Sequence, residues 1–377
     1  MNRELRLRNA GLIAFFISGI CAISTGVVVS LLQEQYGFAY GMTGTLISMM
    51  NVGNLLAGFA AGVLPGRIGM KKSVALLTAG YAAGYLLMGF SGAVTLLMLA
   101  FFLVGVAKGA TLNTCTILVG DNSKNRAVGM NLMHACYACG ALLCPFVIAL
   151  AARAGASAPM LLLAVGGAAL WTVFFTTPLT GNGRRGGSTD WSFLRSVRFW
   201  LLTGLLFCQN AAETSVTSWM VTYFKGSGII AGALSAYTVT VMWSATLIAR
   251  LLIAFVFPLK KPARAMIVMA VGCVAFYALL VQAQTQLPAI VLLFCFAFSM
   301  AGMNPTGVAL AGRMTSVTSI GTMLPIASSG AIIMPWVIGM VAERFGIQAG
   351  MAANIVPCAG LLIFSVLVSR LPEDAGM

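Results

Sequence analysis

Residues 140–148 read GALLCPFVI, and residues 330–338 read GAIIMPWVI. The two stretches lie 190 residues apart in a chain of 377, so the offset is about half the length. Gly, Ala, Pro, Val and Ile recur in register, and the other positions exchange like for like. Each copy then runs to an Ala (Ala152, Ala342), a charged residue, a Gly (Gly155, Gly346) and a Met (Met160, Met351). Asn113 and Asn304, each deep in an apolar run, keep nearly the same register at a separation of 191. Self-similarity at half-length means two similar units in tandem.

The setting of that duplication follows from composition. Hydrophobic residues make up 60% of the chain and charged residues 8%. A soluble domain has about 45–50% apolar and about 25% charged residues, so a soluble fold lacks the interior to hide this much apolar surface. A spanning helix needs about 20 apolar residues, and twelve runs qualify: 9–32, 42–65, 73–91, 95–119, 127–150, 158–177, 199–224, 231–257, 265–283, 288–311, 320–342 and 349–369. The reading is an all-α membrane protein of twelve transmembrane helices in two six-helix repeats. The expected division is 1–177 for the first bundle, 178–198 for a cytoplasmic inter-repeat loop rich in Gly, Ser and Arg, and 199–377 for the second bundle.

The net charge of +14 suggests nucleic acid until its distribution is read. The charges sit in short clusters between apolar runs. With the first residues inside, 17 of the 22 Lys and Arg fall on inner segments, 3 on outer ones and 2 within spans. That asymmetry sets topology, with both ends of the chain in the cytoplasm, and makes lipid rather than nucleic acid the partner. MNRELRLRN (1–9) leads straight into an uncleaved first helix, not a signal peptide. Short termini and small loops suggest a bacterial inner membrane. The nine Cys all lie in apolar runs, and Cys136 and Cys139 stand without a second CxxC or a His cluster, so no metal or other cofactor is expected.

Two six-helix halves joined by a basic inner loop resemble the major facilitator superfamily. The loop GVLPGRIGMKK (62–72) is similar to the family's loop motif at Gly62, Arg67, Gly69, Lys71 and Lys72, with Gly66 where the family usually has an acid. GMVAERFG (339–346) also looks like family usage. NLMHACYACGALLCP (131–145) resembles the fucose-permease-like branch at Asn131, His134, Gly140, Ala141 and Pro145. That branch carries an acid on the fourth span where Gly109 stands here beside Lys108, so a fucose substrate does not carry over. The GxxxGPxxGG pattern of proton-coupled drug antiporters is missing from the fifth span. The resemblance implies alternating access around one midplane site, a monomer, and a cavity lined by the first, fourth, seventh and tenth spans. It also implies gating roles for Arg67, Lys71 and Lys72.

An ionisable side chain at mid-bilayer costs at least ~2.5–3.5 kcal/mol and marks a pathway or a partner. Glu213 lies mid-way along the seventh span, and Asn210, Thr214 and Thr217 share its helical face. A carboxyl so placed can take and lose a proton once per cycle, or sit in a fixed ion pair. Lys108, in the middle of the fourth span, is the expected partner of Glu213 or the contact for an anionic substrate. His134 could relay protons. Asn113 and Asn304 could both face the cavity, and Trp219 could stack on a ligand or anchor at the outer interface. Arg250, late in the eighth span, fits gating or snorkelling. No Walker loop or Ser/His/Asp set is present, so the chain is not read as an enzyme. The expected function is secondary transport of a small polar solute, proton-coupled through Glu213. An organic-anion transporter with Lys108 on the substrate, multidrug efflux, and a non-transporting sensor or scaffold remain open.

Overall fold

The computed structural model describes residues 3–124, 126–179, 192–230, 232–256, 259, 261–314 and 317–371. The helices in chain order are α1 (Arg3–Tyr36), α2 (Tyr40–Ile68), α3 (Met70–Thr78), α4 (Gly80–Phe90), α5 (Val94–Asp121), α6 (Arg126–Ala152), α7 (Ala158–Thr176), α8 (Val197–Gly226), α9 (Thr238–Leu251), α10 (Pro262–Leu280), α11 (Gln286–Met300), α12 (Met303–Met314), α13 (Val317–Ser328), α14 (Gly330–Phe345), α15 (Ile347–Ala353) and α16 (Ile355–Ser369). Several pairs are single apolar stretches interrupted by one or two residues, as at Ala79, Ala301–Gly302, Ser329 and Asn354.

Among the described residues, ten helical stretches are long and apolar enough to cross a membrane. The other two expected spans differ for physical reasons. α8 is 30 residues long, but Gln209, Asn210, Glu213 and several Ser and Thr dilute its apolar character. The run 231–257 divides into a 3₁₀ turn (Gly232–Tyr237), the 14-residue α9 and a π turn (Leu252–Val256). Of the expected loop 178–198, residues 180–191 lie outside the described residues, and Ser192–Arg195 form a 3₁₀ turn.

The chain forms two compact units: Met1–Ala39 with Thr45–Arg185, and Tyr40–Gly44 with Gly186–Met377. In the first, α1 packs on α5, α6 and α7, and α4 packs on α5 and α7. Glycine sets the closeness of these contacts. A Cβ on Gly19 or Gly140 would overlap the carbonyl oxygen of Tyr137 or Phe16 on the facing helix, so α1 and α6 touch through backbone. Gly105 and Gly109 of α5 bring that helix against the backbone of α2 at Met50 and Asn54 in the same way. Such small-residue contacts supply helix association where lipid offers no hydrophobic drive. Two buried tyrosines close the polar remainder: Tyr81 shares a 2.8 Å hydrogen bond with Ser18, and the Tyr85 hydroxyl donates to the Cys21 carbonyl.

In the second unit α8 packs on α13, α14 and α16, and α10 packs on α11 and α16. Gly330, the repeat equivalent of Gly140, would drive a Cβ into the Phe207 carbonyl of α8. Pro145 and Pro335 both sit inside their helices; Gly346 caps α14 with a φ of 88°, and Gly155, in the turn three residues past the end of α6, has a φ of 138°. Asn354 is wholly buried at the α15–α16 break and donates to the Ala212 carbonyl of α8 at 3.3 Å. The first turn of α2, Tyr40–Gly44, belongs to this unit. Gly44 and Gly339 each lack the side chain that would strike the other's helix. The Gly41 amide donates to Glu343 Oε2 at 2.9 Å.

Candidate functional site

The second unit gathers polar groups around Glu213. α8 stays helical despite its polar residues because several of them turn back on its own carbonyls. Asn210 Nδ2 donates to Leu206 O at 2.8 Å, and Thr217 Oγ1 donates to Glu213 O at 2.9 Å. Gln209, one turn before Glu213 and wholly buried, does something different. Its Nε2 donates to Glu213 Oε2, and its Oε1 accepts from Asn304 Nδ2 at 2.7 Å. The resulting chain of hydrogen bonds links α12 to α8 and ends on the carboxyl group.

Beside Glu213 lies a narrow cavity walled by Thr217, by Trp243 and Thr246 of α9, and by Ala297, Met300 and Ala301 at the end of α11. It leaves about 10 Å³ for the centre of a water molecule, about the room that one water needs. Ala301 opens the break between α11 and α12, where intrahelical bonding is interrupted. Arg250 on α9 fills part of that deficit, donating from Nε to Ala301 O at 3.4 Å. Carboxyl, amide relay, water-sized cavity and broken helix thus occupy one region of one unit.

The remaining expected site residues lie elsewhere. Trp219 is wholly buried and donates from Nε1 to Pro335 O at 3.1 Å, fastening α8 to α14, with the Tyr40 ring 6.3 Å away. In the first unit, Lys108 is half-buried on α5, beside the Gly109 that packs on α2. Asn113 lines a small pocket with Pro65 of α2, Ser73 of α3 and Thr114 of its own helix. His134 stands edge-on to Phe15 of α1, with ring centroids 5.7 Å apart. Arg67, Lys71 and Lys72 are exposed around the α2–α3 turn, and Lys71 Nζ sits 4.9 Å over the Phe175 ring. That turn needs Gly69, whose φ is 85°, whereas a Cβ on Gly66 would meet nothing within 4 Å. Glycine is therefore not required by space at position 66. Gln209 was missed by the sequence reading, although its spacing of four from Glu213 is the signal of a helical side-chain pair.

Ten helical stretches of membrane-spanning length among the described residues, in a chain this apolar, define a polytopic membrane protein. The chain belongs to the Major Facilitator Superfamily, whose model matches residues 11–329. It is 23% identical over 236 residues to a protein of Cupriavidus necator described as a probable sulfoacetate transporter, SauU. That alignment covers 56% of this chain and 55% of SauU, so the chain spans about half the length of that curated relative. The fold is similar to a mutant form of the nucleoside transporter NupG (TM-score 0.79, 14% identity, 97% of this chain and 99% of that one). It is also similar to a bacterial homologue of the human lysosomal transporter Spinster in an inward-facing, unoccupied conformation (TM-score 0.75, 12% identity, 98% and 96%). FucP in its outward conformation gives a TM-score of 0.65 at 16% identity over 98% of this chain and 100% of that one. The protein is therefore a multi-pass membrane protein of a transporter family.

Proposed function

We propose that this transporter couples the passage of a small polar solute to proton movement at Glu213. The observation that carries the reading is the hydrogen-bonded series Asn304, Gln209, Glu213 beside a cavity of water size. A carboxyl group in a membrane span is expensive. Here it is supported by an amide donor and has room for a water, which suits repeated protonation better than a static fastening does. We also propose that the two compact units are the duplicated bundles, that the protein acts as a monomer in a bacterial inner membrane, and that both ends face the cytoplasm.

A second reading concerns the solute. Lys108 places a cation mid-way along α5, and the probable sulfoacetate transporter SauU is named for an organic anion. Both favour a small organic anion over a neutral sugar.

The test is uptake into proteoliposomes under an imposed pH gradient, with sulfoacetate, short carboxylates, nucleosides and sugars as trial solutes. Wild type takes up at least one solute faster with an acidic exterior, and Glu213→Gln loses that acceleration. Retention of full pH-driven uptake by Glu213→Gln overturns proton coupling at this residue. Loss of anion uptake in Lys108→Ala, with other solutes unaffected, supports the organic-anion reading.

A further inference from the structure

Gln209 is wholly buried, and its carboxamide is occupied at both ends. The oxygen accepts from Asn304, so the end left for Glu213 Oε2 is the NH₂ donor. A carboxamide oxygen only accepts and its nitrogen only donates, which means that Asn304 decides what Glu213 meets. We propose that Gln209 is a positioning residue for the proton on Glu213: held by Asn304, it keeps Oε2 as an acceptor and directs the incoming proton to Oε1. This rests on the reading of Glu213 as the proton site.

The step balances simply. A hydronium ion from the aqueous phase gives up one O–H bond, an O–H bond forms on Oε1, and water and a neutral carboxyl remain. A donor to the charged form is worth more than a donor to the neutral form. Protonation therefore weakens the Gln209–Glu213 bond and loosens the connection from α8 to α12.

Titratable groups on the neighbouring elements include Cys295 of α11 and Tyr277 of α10, whose hydroxyl donates to Met351 O at 2.6 Å. Cys273 of α10 lies within electrostatic range of Glu213. Arg250 of α9 is engaged with the Ala301 carbonyl, and Cys208 of α8 is coupled to Cys358 of α16. On α14, Glu343 is bonded to Gly41 and stands beside Arg344. Tyr237 and Arg195 lie in the 3₁₀ turns that flank α9 and α8. Among the described side chains, α12, α13 and α15 add no further titratable group.

The experiment is an infrared pH titration of the full-length purified protein, following the carbonyl stretch of a protonated carboxyl and needing no substrate. The band assigned to Glu213 is the one absent from Glu213→Gln. In Gln209→Met, the loss of a donor to the carboxylate moves its midpoint to higher pH by about one unit. Asn304→Ala frees the amide to turn, so the midpoint moves in the same direction by less, and the double variant moves no further than Gln209→Met alone. Variants that melt lower but titrate with the wild-type midpoint overturn the inference. If Gln209→Met does not yield folded protein, an unchanged midpoint in Asn304→Ala overturns it equally. If wild type shows no band that Glu213→Gln removes, Glu213 is not the proton site, and the proposed coupling falls first and takes this inference with it.

Discussion

Adding one methyl group at each of two equivalent glycines tests whether the duplication is a packing device. A Cβ at Gly140 would overlap the Phe16 carbonyl oxygen of α1, with Ile20 N and Phe16 C both only 3.1 Å away. A Cβ at Gly330 would overlap the Phe207 carbonyl oxygen of α8, with Phe207 C at 3.1 Å and Ala211 Cβ at 3.2 Å. The first obstacle in each case is backbone, which cannot swing aside as a side chain can. The facing helices must back away by on the order of 1 Å to regain ordinary contact. Overpacking of this kind costs about 1–3 kcal/mol. For folding units of this size that corresponds to a fall in Tm of roughly 2–12 °C. Gly66→Ala is the control: nothing lies within 4 Å of its Cβ, and replacing a helical glycine gains about 0.5–1 kcal/mol. The assay is thermal unfolding of detergent-purified Gly140→Ala, Gly330→Ala and Gly66→Ala beside wild type. Equal melting of all four proteins refutes the argument. So does a loss in only one of the repeat pair, because the same contact is claimed for both.

Other expected outcomes follow from single contacts. Trp219→Phe removes the donor to Pro335 O from a fully buried site and lowers stability by about 1–3 kcal/mol, visible in the same melting assay. Glu343→Ala takes the carboxylate from the Gly41 amide at the start of α2, at a cost of about 0.5–2 kcal/mol, and speeds hydrogen exchange in Tyr40–Gly44. Unchanged exchange there would remove Glu343 as a cap. Ala22→Glu puts a carboxyl at a wholly packed position of α1 and costs at least ~2.5–3.5 kcal/mol, read as lost folded yield.

Most of the architecture was legible because the bilayer enforces a simple code. Apolar runs of spanning length gave the helices, and the 190-residue offset gave the repeat. Gly140 and Gly330, and Pro145 and Pro335, then hold matching places in the structure. What hydropathy could not show were the interruptions. The π turn after α9 and the break at Ala301–Gly302 depend on which carbonyls find donors, and Arg250 supplies one of them. Glu213 stood out in the sequence, but its hydrogen-bond partners did not. A stripe of Asn210, Glu213 and Thr217 is visible on a helical wheel, yet Asn210 and Thr217 turn back on α8 itself. The residue that reaches the carboxyl group is Gln209, oriented by a side chain 95 positions away.

The two halves also show where a duplicated scaffold was made unequal. In the register that pairs Asn113 with Asn304, Gln209 corresponds to Ser18, Glu213 to Ala22, and Lys108 to Ser299. Ser18 is committed to Tyr81, so the first unit has neither the carboxyl nor an amide at the matching positions. Ser299 bonds back to Cys295 O within its own helix, so the second unit has no cation at the matching position. The first half thus carries a mid-span base and the second a mid-span acid, on backbones that pack through the same glycines. Packing residues have to stay alike for both bundles to form, and charged residues do not. An ionisable group in a span costs free energy wherever it stands. Ala22 and Ser299 fill the matching places, so the packing of the bundles does not itself call for Lys108 or Glu213.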